Sequence, residues 1–258
     1  MNLLKKLYDK SQIWFAVLWI VAYCVLMSVG DAFSARLGME KSITLAVGAL
    51  LSVALLLFLK KAGLFAAYGL CAPRAKARDM LYYLPILLML GANLWYGVSL
   101  NYGALETVFY VLAMFCVGFL EELIFRGLLF EAMRKDNVKA AIIVSSITFG
   151  IGHIINLING SGAELLSNLL QVVYATAAGF MFVMVYYKSK SLLVCIAAHG
   201  LFNAFSAFSA QASHTKEAQI FSALLLTAIT GAYAVILRCQ SRAKKNKTKT
   251  KFKAKRRA

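Results

Sequence analysis

Two adjacent carboxylates and a guanidinium lie inside a long apolar segment of this sequence, in Phe119-Leu-Glu-Glu-Leu-Ile-Phe-Arg126-Gly127. A charged side chain at the centre of a bilayer costs roughly 2.5–3.5 kcal/mol, so charges at that depth are rare and usually functional. On an α-helix Glu122 and Arg126 are four residues apart and share a face, where an ion pair offsets part of the cost of burial. Glu121 is turned away from Arg126, which predicts a carboxylate that is held in place but not neutralised.

The composition places this segment in a membrane protein. Hydrophobic residues make up 61% of the 258-residue chain, the mean hydropathy is +0.71, and there are only two prolines. These values predict a polytopic membrane protein. The formal net charge of +17 would suggest nucleic acid binding in a soluble protein, but the lysines and arginines cluster between and after apolar segments. Membrane orientation explains that distribution, so we expect no nucleic acid partner.

The five cysteines indicate neither a disulfide framework nor a metal site. They are odd in number, scattered, and without CxxC spacing: Cys24, Cys71, Cys116, Cys195 and Cys239. We interpret them as small apolar residues.

Eight apolar stretches are long enough to cross a hydrocarbon core of about 30 Å. They are about residues 12–30, 42–59, 80–100, 107–133, 140–158, 165–187, 191–209 and 219–237. With this arrangement every lysine-rich or arginine-rich loop falls on one side of the membrane, and the positive-inside rule places both termini in the cytoplasm. The predicted fold is an all-α, polytopic transmembrane helical bundle, located in the cell membrane if the organism is a bacterium.

The end of the chain differs from the rest. Residues 1–237 are predicted to form the transmembrane domain, and residues 238–258 contain eleven lysines or arginines and no acidic residue. Such a composition cannot bury a core, which predicts a disordered, basic cytoplasmic tail. A basic segment next to a membrane is attracted to anionic lipid, so we expect lipid contact here.

Two of the three histidines lie inside predicted spans, each with a partner at helical spacing. His153 follows Phe149 by four residues, and His199 precedes Asn203 by four, so each pair shares a helix face. With a rise of about 1.5 Å per residue, Glu121, His153 and His199 all fall within the membrane at similar depths. The sequence therefore predicts one buried polar site between the fourth, fifth and seventh spans.

These residues carry a resemblance to a known family. The ordered set Glu121-Glu122-x-x-x-Arg126, Phe149-x-x-x-His153 and His199-x-x-x-Asn203, on hydrophobic helices, resembles the three motifs of the CPBP intramembrane proteases. This family includes the type II CAAX prenyl endopeptidases and the bacterial Abi proteins linked to bacteriocin processing and self-immunity. The resemblance covers about residues 106–206.

The resemblance implies a membrane-embedded endopeptidase. Glu121 would be the general base that activates water, assisted by His153, while His199 and Asn203 would stabilise the oxyanion. Amide hydrolysis needs such a base, a sequestered water and donors aimed at the developing negative charge. The resemblance further implies a membrane-associated peptide or protein as substrate, either prenylated or a bacteriocin precursor.

Three other residues are expected to support this site. Glu122 and Arg126 would form a buried pair behind the reacting groups, and Phe149 would shape the wall of the site. The same reasoning leaves a catalytic zinc open, because Glu121, His153 and His199 could supply three ligands. The sequence contains no His-Glu-x-x-His motif, and a glutamate and a histidine can activate water without metal, so we expect no cofactor.

Two other classes of function compete with a protease. Buried glutamate, arginine and histidine also form proton relays in transporters, and a non-catalytic immunity protein could use the same fold. Transport predicts polar residues through the full depth of the membrane, which the sequence does not contain. Because the spans that carry His153 and His199 both begin at basic turns, we expect water and substrate to enter from the cytoplasmic half.

Overall fold

The computed structural model describes residues 2–74, 83–159, 164–210 and 215–255, and the side chains of residues 3–241 within these ranges. Ten α-helices occur in the described residues. They are α1 (Asn2–Lys10), α2 (Gln12–Leu37), α3 (Ser42–Lys61), α4 (Leu84–Leu90), α5 (Ala104–Glu121), α6 (Phe130–Arg134), α7 (Val138–Gly152), α8 (Leu165–Ser189), α9 (Leu193–Phe205) and α10 (Lys216–Lys255). A π-helical segment (Glu122–Leu129) joins α5 to α6, and 3-10 turns follow α4, α7 and α9, at Gly91–Leu94, His153–Leu157 and Ser206–Phe208. The predicted all-α fold is confirmed.

Six helices are long and apolar enough to cross a membrane, which makes the chain an integral, multi-pass membrane protein. They are Gln12–Leu37, Ser42–Lys61, Ala104–Arg134, Val138–Leu157, Leu165–Ser189 and Lys216–Ser241. At the third and seventh predicted spans the structure has shorter apolar helices, Leu84–Leu94 and Leu193–Phe208. In the third, Pro85 starts the helix and a 3-10 turn follows at once, while residues 75–82 lie outside the described part of the chain.

Polar caps fix where the long helices begin and end. Ser11 separates α1 from α2, and its hydroxyl accepts a hydrogen bond from the backbone N–H of Trp14. Gly38 ends α2 in the left-handed conformation, with φ of 64°. Asn137 caps α7 through the backbone N–H groups of Lys139 and Ala140. The turn before α7 is therefore short, and the fourth and fifth spans form a helical hairpin.

The structure differs from the disordered tail that the composition predicts. Helix α10 continues without interruption to Lys255, so the backbone of the described part of residues 238–258 is helical. The physical reason is that lysine, arginine and alanine are good helix formers, and no glycine or proline follows Gly231 to stop the helix. The boundary between a membrane domain and a separate tail stays a prediction.

Close helix contacts at glycines set the position of the motif-bearing helices. A Cβ at Gly118 of α5 would lie 2.6 Å from the backbone nitrogen of Gly200 in α9, so the two backbones touch next to His199. Helices α7 and α8 meet in the same way where Gly150 faces Thr176. These contacts bring all three motifs to one place inside the bundle.

Candidate active site

The paired glutamates lie where the helix changes its winding. The backbone is α-helical up to Glu121 and π-helical over Glu122–Leu129, and the N–H of Phe130 donates to the carbonyl of Phe125, five residues earlier. Single π-helical turns inside α-helices occur frequently at functional sites. Because a π-helical turn is wider, the angle between successive side chains is smaller. Both carboxylates therefore reach His199, while Arg126 pairs with Glu122.

Glu122 and Arg126 form the predicted pair in complete burial. Nη1 of Arg126 lies 3.1 Å from Oε1 of Glu122, and neither side chain is exposed to solvent. The geometry is that of an ion pair, since it does not meet hydrogen-bond angles. The guanidinium carbon also lies 4.0 Å from the ring centroid of Phe149 and 5.6 Å from that of Phe182. The charge of Arg126 is thus balanced by one carboxylate and two aromatic faces.

His199 lies between the two glutamates. Its Nδ1 is 2.9 Å from Oε1 of Glu122, and its Nε2 is 3.4 Å from Oε2 of Glu121. The imidazole stacks on Phe182, with ring centroids 5.6 Å apart, and meets the edge of Phe149 at 5.7 Å. These contacts fix the ring orientation, so that one nitrogen faces each carboxylate.

Glu121 has a second partner that sequence reasoning did not identify. The hydroxyl of Tyr23, in α2, donates a hydrogen bond of 2.6 Å to Oε1 of Glu121. Oε2 has no hydrogen-bond partner among the described residues and is the oxygen that faces His199. One carboxylate oxygen is therefore held in place and the other is left for chemistry.

His153 is oriented by its own helix. Its Nδ1 lies 3.0 Å from the carbonyl oxygen of Phe149, which can only accept, so Nδ1 carries the proton. The remaining nitrogen, Nε2, is then the atom that exchanges a proton. Asn168 of α8 donates to the carbonyl of His153 at 2.8 Å and so holds the 3-10 turn in place.

The predicted catalytic residues surround two connected cavities. Glu121, His153 and Asn203 line a cavity of about 620 Å³, a volume within the range of ligand-binding pockets. A smaller cavity of about 50 Å³ is lined by His153, His199 and Asn203, and this volume is ample for a water molecule. The side chain of Asn203 makes no hydrogen bond to the described residues, although its backbone carbonyl accepts one from Ser206.

The large cavity extends to the ends of the helices opposite the basic turns. Asp31, Lys41, Tyr110 and Asn159 line it there. Nζ of Lys41 lies 2.8 Å from Oδ1 of Asp31. Burial works against the charge of Lys41, but Asp31 outweighs it and the pKa of Lys41 is raised. This position differs from the predicted entry at the cytoplasmic half.

The residues proposed as zinc ligands do not fit a metal in this arrangement. No group of three or more histidines, cysteines, aspartates or glutamates in the described ranges could hold a metal ion. Both nitrogens of His199 face carboxylates, and Nδ1 of His153 is bound to a carbonyl. We therefore derive no step through zinc, and metal independence stays a prediction.

The sequence motifs identify most but not all of the residues at the site. The structure brings Glu121, Glu122, Arg126 and His199 into contact, with Phe149 between the two histidines, while His153 and Asn203 line the same cavity as Glu121. Sequence reasoning missed Tyr23 and Phe182. The only signal for Tyr23 is that a buried tyrosine hydroxyl in an apolar span needs a hydrogen-bond partner, which does not say where that partner lies.

The fold and site define the class of this protein: a polytopic integral membrane protein with a buried polar site of two glutamates, two histidines and an arginine. Residues 103–205 match the family model described as Rce1-like, type II CAAX prenyl endopeptidase. This matched part of the chain carries all three sequence motifs, so it is this part that is similar to the type II CAAX prenyl endopeptidases.

One curated protein sequence is similar to part of this chain. The protein named "Putative membrane peptidase YdiL", from Bacillus subtilis (strain 168), is 36% identical over 87 residues. This match covers 33% of the present chain and 30% of the length of that relative. No solved structure matches the chain.

Proposed function

We propose that the protein is an intramembrane endopeptidase in which Glu121 activates the attacking water. The observation that carries the proposal is that Glu121, His153 and Asn203 line one cavity, while His199 contacts Glu121 and lines the neighbouring smaller cavity. The family match and the name of the Bacillus relative support the same activity. A peptide bond in the cavity would have a base, a proton carrier and oxyanion donors around it.

The first step is attack by water. The carboxylate of Glu121, which lines the cavity, takes a proton from a water molecule there, while the hydrogen bond from Tyr23 to Oε1 keeps the carboxylate in place. The resulting hydroxide forms a bond to the carbonyl carbon of the peptide. His153 assists through Nε2, because its Nδ1 is bound to the Phe149 carbonyl.

The second step is stabilisation and collapse of the tetrahedral intermediate. Nδ1 of His199 is bound to Glu122, so its Nε2 donates a hydrogen bond only when the ring is protonated. Nε2 of His199 and the amide of Asn203 then hold the oxyanion, and the proton taken from water passes to the leaving amine.

The substrate class follows from the family and not from the geometry of the site. A membrane-associated protein or peptide, either prenylated or a bacteriocin precursor, is the proposed substrate. Anionic lipid is the proposed partner of residues 238–258, where eleven lysines or arginines occur in the sequence.

Comparison of active and inactive forms tests this proposal. Membrane and secreted peptides are compared by proteomics in cells that express the wild type, Glu121→Gln, His153→Ala, His199→Ala or Asn203→Ala. The first three variants should lose all cleavage with normal abundance, and Asn203→Ala should lose about 10²- to 10³-fold in rate, as for removal of one oxyanion donor.

A matched control is available in the same helix. Glu106 of α5 accepts a hydrogen bond of 2.9 Å from the backbone N–H of Glu40 and does not line the cavity. Glu106→Gln should therefore retain wild-type cleavage. Normal cleavage by purified Glu121→Gln would refute the proposal. If the wild type and Glu121→Gln yield identical peptides, the non-catalytic immunity role becomes the better explanation.

A further inference from the structure

We propose that the cavity receives its peptide from the extracytoplasmic side of the membrane, so that the substrate bond lies in an extracytoplasmic or outer-leaflet segment. The proposal rests on the proposed endopeptidase function for its substrate, and on the shape of the cavity and the charge distribution for its direction. We call the helix ends next to the basic turns the basic face and the other ends the opposite face.

Apart from the span that carries the motif glutamates and lines the cavity as far as Phe125, the helices around the cavity contribute only the half that lies towards the opposite face. Helix α2 enters at the basic face and lines the cavity only from Tyr23 to Asp31, and α7 lines it only from Phe149 onward. Helix α8 runs the other way and contributes Gln171 and Tyr174, close to its start. Helix α9 contributes Phe202 and Asn203, close to its end.

The half of the bundle at the basic face is closed by packed side chains. Along the π-helical segment and α6, every residue from Glu122 to Ala132 is buried. The neighbouring stretch of α8 from Met181 to Tyr186 is buried as well. Interiors packed in this way contain few voids larger than a water molecule, so a peptide cannot pass from this face without displacing the core.

The distribution of lysines and arginines indicates which face of the bundle is cytoplasmic. Of the 24 lysines and arginines within the described residues, 20 lie in segments at the basic face, Arg126 is buried at the site, and three lie at the opposite face. These three are Arg36, Lys41 and Lys216. By the positive-inside rule the basic face is cytoplasmic, so the mouth of the cavity is extracytoplasmic.

The wall between the mouth and Glu121 is polar, as is the backbone of an extended peptide. Asn156, Asn159 and Gln171 line it and are hydrogen-bonded to one another, and the hydroxyl of Ser206 donates to the carbonyl of Asn203. From Tyr110 to Glu121 the helix rises about 16 Å, which about five extended residues span. We therefore expect cleavage about five residues inside the mouth. A tail that is prenylated in the cytoplasm would reach this site only after crossing the membrane.

Thiol labelling tests the direction without requiring activity. Two cavity positions serve as reporters: the native Cys24, retained alone after the other four cysteines are replaced by alanine, and Gly152→Cys in a background without all five. A side chain at Gly152 would meet no atom within 4 Å. Arg36→Cys and Lys60→Cys, both at exposed positions, report the opposite and basic faces.

A charged, membrane-impermeant methanethiosulfonate is added to intact cells and to inside-out vesicles. Both reporters should react from the cell exterior, as Arg36→Cys does, and at least about tenfold faster than from the cytoplasmic side, because the reagent cannot cross the hydrocarbon core. Reaction from the side that labels Lys60→Cys would overturn the proposal. The proposal would also be overturned if both reporters fail to react while both control cysteines do. It would be overturned as well if Lys60→Cys reacts from the cell exterior and Arg36→Cys from the cytoplasmic side.

Mapping of the cut sites separates this inference from the proposed function. Cleavage sites that depend on Glu121 but lie in cytoplasmic segments would support the proposed peptidase function and refute the proposal that the cavity opens to the extracytoplasmic side. If the reporters are labelled from the exterior but wild type and Glu121→Gln yield the same cleavage sites, the extracytoplasmic opening is supported and the peptidase function is refuted.

Discussion

Nδ1 of His199 lies 2.9 Å from Oε1 of Glu122, and both side chains are almost completely excluded from solvent. The same oxygen of Glu122 also pairs with Arg126. The second motif glutamate therefore holds both a catalytic candidate and a buried cation, and it links the stability of the bundle to the orientation of His199.

Removal of Arg126 should reduce stability and activity together. Arg126→Ala leaves Glu122 as a buried charge without its cation, at a cost of about 3–5 kcal/mol. We expect lower abundance in the membrane, a lower midpoint of thermal unfolding in detergent, and loss of cleavage. Arg134→Ala is the matched control, since Arg134 pairs with Glu131 but its side chain is 36% exposed. A wild-type melting temperature for Arg126→Ala would contradict the prediction.

A double replacement separates the two roles of Glu122. Glu122→Gln with Arg126→Met removes both charges and keeps similar volumes, and such neutral replacements of buried pairs are often tolerated. We expect this protein to unfold at nearly the wild-type temperature but to cleave slowly, because His199 loses its ionic partner. If the double variant has both the unfolding temperature and the cleavage rate of the wild type, Glu122 contributes to packing but not to catalysis.

Tyr23 should act through the base that it contacts. Tyr23→Phe removes only the hydroxyl that donates to Glu121. A hydrogen bond to a charged group contributes about 1.5–3 kcal/mol, which corresponds to about tenfold to a hundredfold in rate. We expect kcat to fall by that factor. Tyr8→Phe removes a comparable hydroxyl, bound to Tyr68 at 2.8 Å and away from the cavity, and should cleave normally. Equal rates for the two variants would argue against the role of Tyr23.

The motif residues were predictable because their spacing follows the α-helical repeat. Phe149 with His153, and His199 with Asn203, share helix faces, and the order of the motifs indicates the family. The relation of Glu121 to Glu122 was not predictable in this way, because the π-helical segment changes the angle between them. No sequence pattern marks that change, since it depends on what the helix packs against.

The predicted spans also show what a local pattern can and cannot establish. Hydropathy identifies the apolar stretches but not their length as helices: Leu84–Leu94 is short because Pro85 lies in its first turn and the helix passes into a 3-10 turn at Gly91. The contact between Tyr23 and Glu121 joins residues 98 positions apart. Such a contact follows from packing between helices, as does the side on which the cavity opens.

Chelators should leave the activity unchanged. The described glutamates and histidines do not form a group that could hold a metal, and the mechanism needs only Glu121 and His153 to activate water. Cleavage by purified enzyme is measured after prolonged treatment with a strong zinc chelator and again after zinc is added back. Loss of activity that zinc restores, but magnesium does not, would establish a zinc enzyme and refute the metal-free mechanism.

Substitution at the contact between Gly118 and Gly200 should reduce activity as strongly as substitution in the candidate active site. A Cβ at Gly118 would lie 2.6 Å from the backbone nitrogen and 2.8 Å from the Cα of Gly200, and backbone atoms cannot rotate out of the way as a side chain can. Gly118→Ala therefore forces α5 and α9 apart, and α9 carries His199. Overpacking of this kind costs about 1–3 kcal/mol, so we expect a lower unfolding midpoint together with a loss of cleavage.

Gly231→Ala is the matched control: it lies in α10, where a Cβ would meet no atom within 4 Å, and alanine is the better helix former. That variant should be at least as stable as the wild type and fully active. If both alanine variants behave alike, the approach of α5 to α9 does not position His199.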